Sequence, residues 1–185
     1  LHAANGPPEG ESGYHDHHDS DESQLFYLNI SGASGINYEG PIRIEGIEVG
    51  ALALPTTLRG QDTEVRSALM QAIEEAFVGQ EVRFTFEQPE AGLDYSTIFL
   101  GTGGGAFAEH GVFVGISEQV DHENFDKNDR AFVFSDVLEA VLREGGESIR
   151  ETDAVSNSDK LLTDPSAYGK ELAAYVIHEA GHLLG

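Results

Sequence analysis

Residues 171–185 read ELAAYVIHEAGHLLG. Leu172, Ala173, Val176, Ile177, Ala180 and Leu184 recur at three- and four-residue steps, which predicts a helix with one buried stripe. Asp164 followed by Pro165 marks its start, as N-cap and first helical residue, with a restart after Gly169 as the alternative. Gly185 is a fitting terminator. His178 and His182 lie four apart, one above the other on a face that flanks the stripe. Imidazoles so placed can share one Zn²⁺ at about 2.0–2.1 Å each. Glu179, beside the first histidine, is placed to take a proton from a water that the metal acidifies. A catalytic zinc usually has three protein ligands and an open position. This stretch supplies two, and a sharp turn at Gly185 is a way to bring up a third. Gly181 carries no side chain and is expected to let a neighbouring backbone approach. The plain alternative is two ordinary histidines on a half-buried helix.

Working back from this helix, the chain alternates strand and helix signals. LFYLNI (25–30) reads as a strand and SGASGINYEG (31–40) as a turn. PIRIEGIEVGALAL (41–54) alternates, with a phase shift at Gly46 that suggests a bulge or bend. Residues 62–78 carry Val65, Ala68, Leu69, Ala72, Ile73, Ala76 and Phe77 at helical spacing, with Asp62 or Thr63 as N-cap and Gly79 after the end. VRFTFE (82–87), STIFLG (96–101) and AFVFSD (131–136) read as strands. Asp136 and Glu139 form a capping box for a helix over 137–144, stopped by Gly145-Gly146. Residues 145–160 read as irregular. The expected class is α+β: a twisted mixed β-sheet with two main α-helices, the second carrying the histidines.

Two loops hold further candidates. GTGGGAFAEHG (101–111) is too weak for a phosphate cradle, lacking both a helical stripe after it and a Lys-Ser/Thr pair. It reads as a close-packed loop beside a cleft. DHENFDKNDR (121–130) concentrates Asp121, Glu123, Asn124, Asp126, Asn128 and Asp129, oxygen donors that suit Ca²⁺, although an EF-hand would need Gly where Asp126 stands. A solvated acidic loop is the bland reading.

The chain has 185 residues and a formal charge of −23, from 33 acids and 10 bases. That balance argues against nucleic-acid binding, which needs a cationic surface. It suits a protein that lives in salt or calcium-rich surroundings. Cysteine is absent, which excludes thiolate zinc sites, disulfides and Cys nucleophiles. Residues 1–23 are rich in Gly, Pro, Ser, Asp and Glu and read as a flexible acidic, His-rich linker, with 24–185 as the folded domain. His15, His17 and His18 in that linker have no preorganised geometry. No signal-peptide run and no membrane span of about 18 apolar residues is visible. The sequence is expected to be an excerpt of a longer protein.

HEAGHLLG resembles the first eight residues of the metzincin zinc-protease signature, H-E-x-x-H-x-x-G-x-x-H. The order helix, strand, strand, Gly-rich loop, strand, motif helix is similar to the N-terminal, zincin-like subdomain of that family. YSTIFLGTGGGAF, the acidic loop and ELAAYVIHEAGHLLG look like a bacterial or archaeal secreted branch akin to matrixins. The resemblance implies a zinc-dependent endopeptidase acting on protein or peptide substrates, secreted or at the cell surface. His178 and His182 match the first two zinc ligands, Glu179 the general base, and Gly185 the turn glycine. The third ligand would stand three residues past Gly185 and the C-terminal part of the domain beyond it. Residues 1–185 alone are therefore expected to bind zinc weakly and cleave little, unless His110 or His122 completes the site. The substrate-pairing edge is expected around Gly103 to Phe113, centred on Gly103, Gly104, Gly105, Ala106 and Phe107. Two other readings stay open. One is a gluzincin-type peptidase with a later Glu as third ligand. The other is a calcium-dependent surface or adhesion module with a vestigial zinc motif.

Overall fold

The computed structural model describes residues 23–121, 124–148 and 154–185. The acidic linker lies outside these but for Ser23, and so do His122 and Glu123. The described chain is α+β, with a mixed five-stranded sheet, a separate two-stranded hairpin and four helices, one more than the sequence patterns suggested.

The sheet is built from β1 (Gln24–Asn29), β4 (Val82–Thr85), β5 (Ser96–Gly101), β6 (Gly115–Ser117) and β7 (Arg130–Phe134), in the order β4-β1-β5-β7-β6. All neighbours are parallel except β6, which runs antiparallel to β7 at the edge. Parallel strands need both faces covered, and their sequences alternate between two apolar partners. Phe26, Leu28, Ile98, Leu100, Ala131 and Val133 face the helices. Phe99, Phe132 and Phe134 face the other side, where Tyr38, Ile47 and Phe107 cover them. Burying each such side chain stabilises the fold by about 1.5–3 kcal/mol.

Between β1 and β4 run the hairpin strands β2 (Ala33–Glu39) and β3 (Arg43–Val49), then α1 (Asp62–Ala76). The stretch read as a turn is thus largely strand β2. Its glycines at 32 and 35 take positive φ, which looked like turn chemistry, while Ile36 and Tyr38 are the inward-facing residues. The α1 helix begins after Gln61, which makes no side-chain cap.

After β7 comes α2 (Ser135–Ser148), which continues through Gly145 and Gly146 rather than stopping there. Helix glycines cost about 1 kcal/mol each but do not end a helix held by packing, and Leu138 and Leu142 anchor this one in the core. Residues 154–160, read as irregular, belong to α3 (Ala154–Thr163), in which Leu162 is buried.

The last helix, α4 (Pro165–Leu184), starts as expected: the Asp164 carboxylate accepts from the N–H groups of Ser166 at 2.9 Å and Ala167 at 3.1 Å. Leu172, Ala173, Val176, Ala180 and Leu183 are its buried stripe, while Ile177 and Leu184 are only half-buried. The glycine that permits close helix packing is Gly169, not Gly181. A Cβ on Gly169 would overlap the Val65 carbonyl oxygen and stand 2.9 Å from Ala68 Cβ on α1, whereas nothing lies within 4 Å at Gly181. No helix among the described residues is long and apolar enough to cross a membrane.

Candidate active site

The C-terminal half of α4 runs beneath β6 and β7. This puts three motif residues on two sides of the helix. His178 is exposed and His182 half-buried, whereas Glu179 is 4% exposed. The two imidazole Nε2 atoms stand 3.1 Å apart with the rings near perpendicular, at 85°. Two nitrogens each about 2.05 Å from a tetrahedral ion would stand about 3.3 Å apart, so the pair fits one zinc. The same separation also allows a hydrogen bond between neutral rings, one donating. Among the described residues no three His, Asp or Glu side chains converge to hold a metal by themselves.

A cleft of about 350 Å³ opens over the pair, lined by His178, Glu179, His182, the β6 residues Gly115 to Ser117, and Tyr38 and Pro41 from the hairpin. Burial pushes the Glu179 carboxyl up to about 7, against a smaller opposing pull from the Ser117 hydroxyl beside it. Its carboxylate lies against the backbone of Gly115: a Cβ there would overlap Oε1 and stand 3.0 Å from Cδ. Gly115 is therefore the slot that admits Glu179 beneath the edge strand. In the sequence it is one glycine in the apolar run VFVGI, and an isolated strand glycine is the only signal of such an approach. Gly115→Ala is expected to cost about 1–3 kcal/mol of stability by overpacking. Glu179→Ala should remove most of that cost, a coupling that denaturant melts of the two single variants and the double variant measure.

Strand β6 pairs with β7 through Ile116↔Phe132, flanked by the bonds Phe134 N–H to Val114 carbonyl at 2.7 Å and Glu118 N–H to Arg130 carbonyl at 3.0 Å. Alternation then turns the main-chain groups of Gly115 and Ser117 to the open edge of the sheet. This is the edge beside the histidines. Residues Gly103 to Phe107 do not occupy it. Gly104–Phe107 form a 3₁₀ turn in which Phe107 is fully buried and Gly104 packs on Phe134 and Val137. Gly104 and Gly105 line a separate cavity of about 370 Å³ against α2. Ala106 is exposed and Gly103 donates its N–H to Asp136 Oδ2 at 3.1 Å. An aromatic cluster drew this turn onto the outer face of the sheet, and a Gly-rich string does not announce that. His110 is an exposed residue just past the turn and lines neither cavity.

The acidic loop is brought into order by its own N–H groups. Asp121 accepts from Asp126 N–H at 2.7 Å, and Asp126 from Asn128 N–H at 2.9 Å. Asn128 turns its side-chain amide to Asp94 at 3.3 Å. Asn124 adopts a left-handed φ of 52° and donates to Gln24. Asp129 is 4% exposed and accepts from the Ser96 hydroxyl. Burial, with smaller contributions from Asp126 and Asp121, raises its carboxyl to about 6. Asp129 Oδ2 and Asn124 Oδ1 are buried with no partner among the described residues. The loop is tied to the motif helix where Asp121 N–H donates to the His182 carbonyl at 2.9 Å.

Compared with protein-family models, curated proteins and solved structures, the chain matches none.

Proposed function

We propose that this chain carries the zinc-binding part of a metzincin-type catalytic domain and that its protein hydrolyses peptide bonds. The observation that carries the reading is the His178–His182 pair, its Nε2 atoms at 3.1 Å, with the buried Glu179 carboxylate under an open sheet edge. The strand order, with one antiparallel edge strand above the motif helix, supports it as a zincin-like arrangement.

His178 and His182 would hold the ion through Nε2, with a third donor past Gly185 as part of the proposal. Bound there, Zn²⁺ supplies Lewis-acid polarisation of a carbonyl and acidifies water. Glu179 accepts a proton from the attacking water and passes it to the leaving amine. Its burial matters because a carboxylate with a raised proton affinity is a better base near neutral pH. The outward main-chain groups of Gly115 and Ser117 hold an extended peptide as an added strand. Zinc analysis of the full-length protein tests the reading. One zinc per chain is expected, with loss on His178→Ala and on His182→Ala; wild-type protein that binds no zinc would sink it.

Calcium at the 121–129 loop rests on a narrower observation, the two partnerless buried oxygens of Asp129 and Asn124. One oxygen of Asp121 and one of Asp126 already serve backbone N–H groups within the loop.

A further inference from the structure

The edge strand above the motif helix is open at one end and closed at the other. At the closed end Tyr38, 1% exposed, reaches round from the outer face of the sheet and donates its O–H to the Ser117 carbonyl at 3.0 Å. Burial and the nearby Glu118 and Glu179 push its phenol up to about 12, so it remains a donor across the ordinary pH range. The chain after it follows the same path. Glu39 N–H donates to Glu118 Oε1 at 3.1 Å, and Gly40 packs so closely on the Tyr38 hydroxyl that a Cβ would overlap it. Pro41 then lines the cleft. Arg130 holds the hairpin from beneath by donating to the Asn37 carbonyl at 3.2 Å. A second wall comes from the edge strand's own continuation. After Glu118 the chain leaves the sheet and drops to α4, where Asp121 is bonded to His182. In the other direction, beyond Gly115, the strand leads to half-buried Phe113 and to Val112, which is 78% exposed.

Of the four main-chain groups at Gly115 and Ser117 that face the open edge, the Ser117 carbonyl is thus already engaged. Gly115 marks the reacting position, because the Glu179 carboxylate sits directly under it. From Gly115 to Ser117 is two residues, about 6.7 Å of strand. A peptide added to this edge meets the hairpin after roughly two residues. Antiparallel addition is the more stable pairing. In that polarity the blocked direction is toward the amino terminus of the bound peptide.

We infer that the β2–β3 hairpin closes one end of the substrate cleft, so that this protein takes peptides with no more than about two residues on the amino side of the reacting bond and an open-ended carboxyl side. It would therefore cut near the amino terminus of extended chains and not in their middle. The inference rests on the peptidase reading for its chemistry but on the hairpin alone for its length limit.

The test separates the two. Full-length, zinc-loaded protein with Glu179→Gln is titrated with two peptide series built on one core, extended by one to six residues on the amino side or on the carboxyl side. Binding is read by calorimetry, and hydrolysis of the same peptides by wild type is read by mass spectrometry. The expected result is a loss of affinity of about tenfold or more at the third amino-side residue, with no such step on the carboxyl side. Equal binding along the amino-side series overturns the inference, as does a limit on the carboxyl side instead or no binding of any peptide. An amino-side limit in the variant with no hydrolysis by wild type leaves the closed cleft standing and sinks the peptidase reading.

Discussion

Glu179→Gln is expected to lower kcat by about 10²–10⁴-fold in the full-length protein while zinc content stays at the wild-type level. The substitution keeps the shape that fits against Gly115 and removes the buried carboxylate that lies against the cleft's edge strand at that point. A proton acceptor acts in the transition state and not in binding, so KM should change little. His178→Ala and His182→Ala should instead lose the metal and the activity together. A zinc-loaded Glu179→Gln protein within tenfold of wild-type kcat would remove Glu179 from the mechanism. Steady-state kinetics with metal analysis on the same preparations separates these outcomes.

Asp129 should make the folded protein less stable as pH rises from about 4 to about 7. Its folded carboxyl is raised to about 6 from an ordinary 3.8, because burial disfavours the charge and Asp126 and Asp121 add repulsion. The folded state therefore binds more protons than the unfolded state in that window. The contribution is fully present below pH 3.8 and is lost as pH rises through about 6. Its size is of order 1–3 kcal/mol. Asp129→Asn keeps an oxygen for the Ser96 hydroxyl, removes the charge, and should stabilise the protein above pH 7 by that order. Denaturant melts at pH 4, 6 and 8 measure both. An unchanged pH slope in the variant would show that another group titrates. Calcium binds the ionised form, so if the partnerless oxygens of Asp129 and Asn124 take the ion, added Ca²⁺ should restore the wild type above pH 6 and leave Asp129→Asn unmoved.

The elements that could be read from the sequence share one property: their pattern is local. The α4 helix carried its cap, its stripe and its histidine spacing within twenty-two residues, from Asp164 to Gly185; the cap was found, and of the six stripe residues Leu172, Ala173, Val176 and Ala180 are buried. Strands β1, β5 and β7 announced themselves as near-continuous apolar runs because both faces of a parallel sheet are buried. Where the reading failed, a distant partner had overruled a local preference. Strand β2 is short of apolar residues and carries Gly35 at positive φ, and it exists because Ile36 and Tyr38 cover an aromatic layer from β5 and β7. The α2 helix runs through Gly145 because Leu138 and Leu142 hold it to the core.

The same division applies to the site. A spacing of four on a helix put the His178 and His182 imidazoles beside one another, with Glu179 next to the first on a different side of the helix; the sequence determined that much because helical geometry is the same everywhere. Which strand lies over the pair was a tertiary matter. Residues 103–107 had the composition of a cleft edge, yet Phe107 pulled them into the aromatic layer, and the three-residue strand Gly115–Ser117 took the place. Only the folded chain brings Gly115 against Glu179 and Tyr38 against Ser117, across 64 and 79 residues of sequence respectively. Close packing between segments so far apart leaves no periodic trace in either one, because each contributes a single residue to the contact.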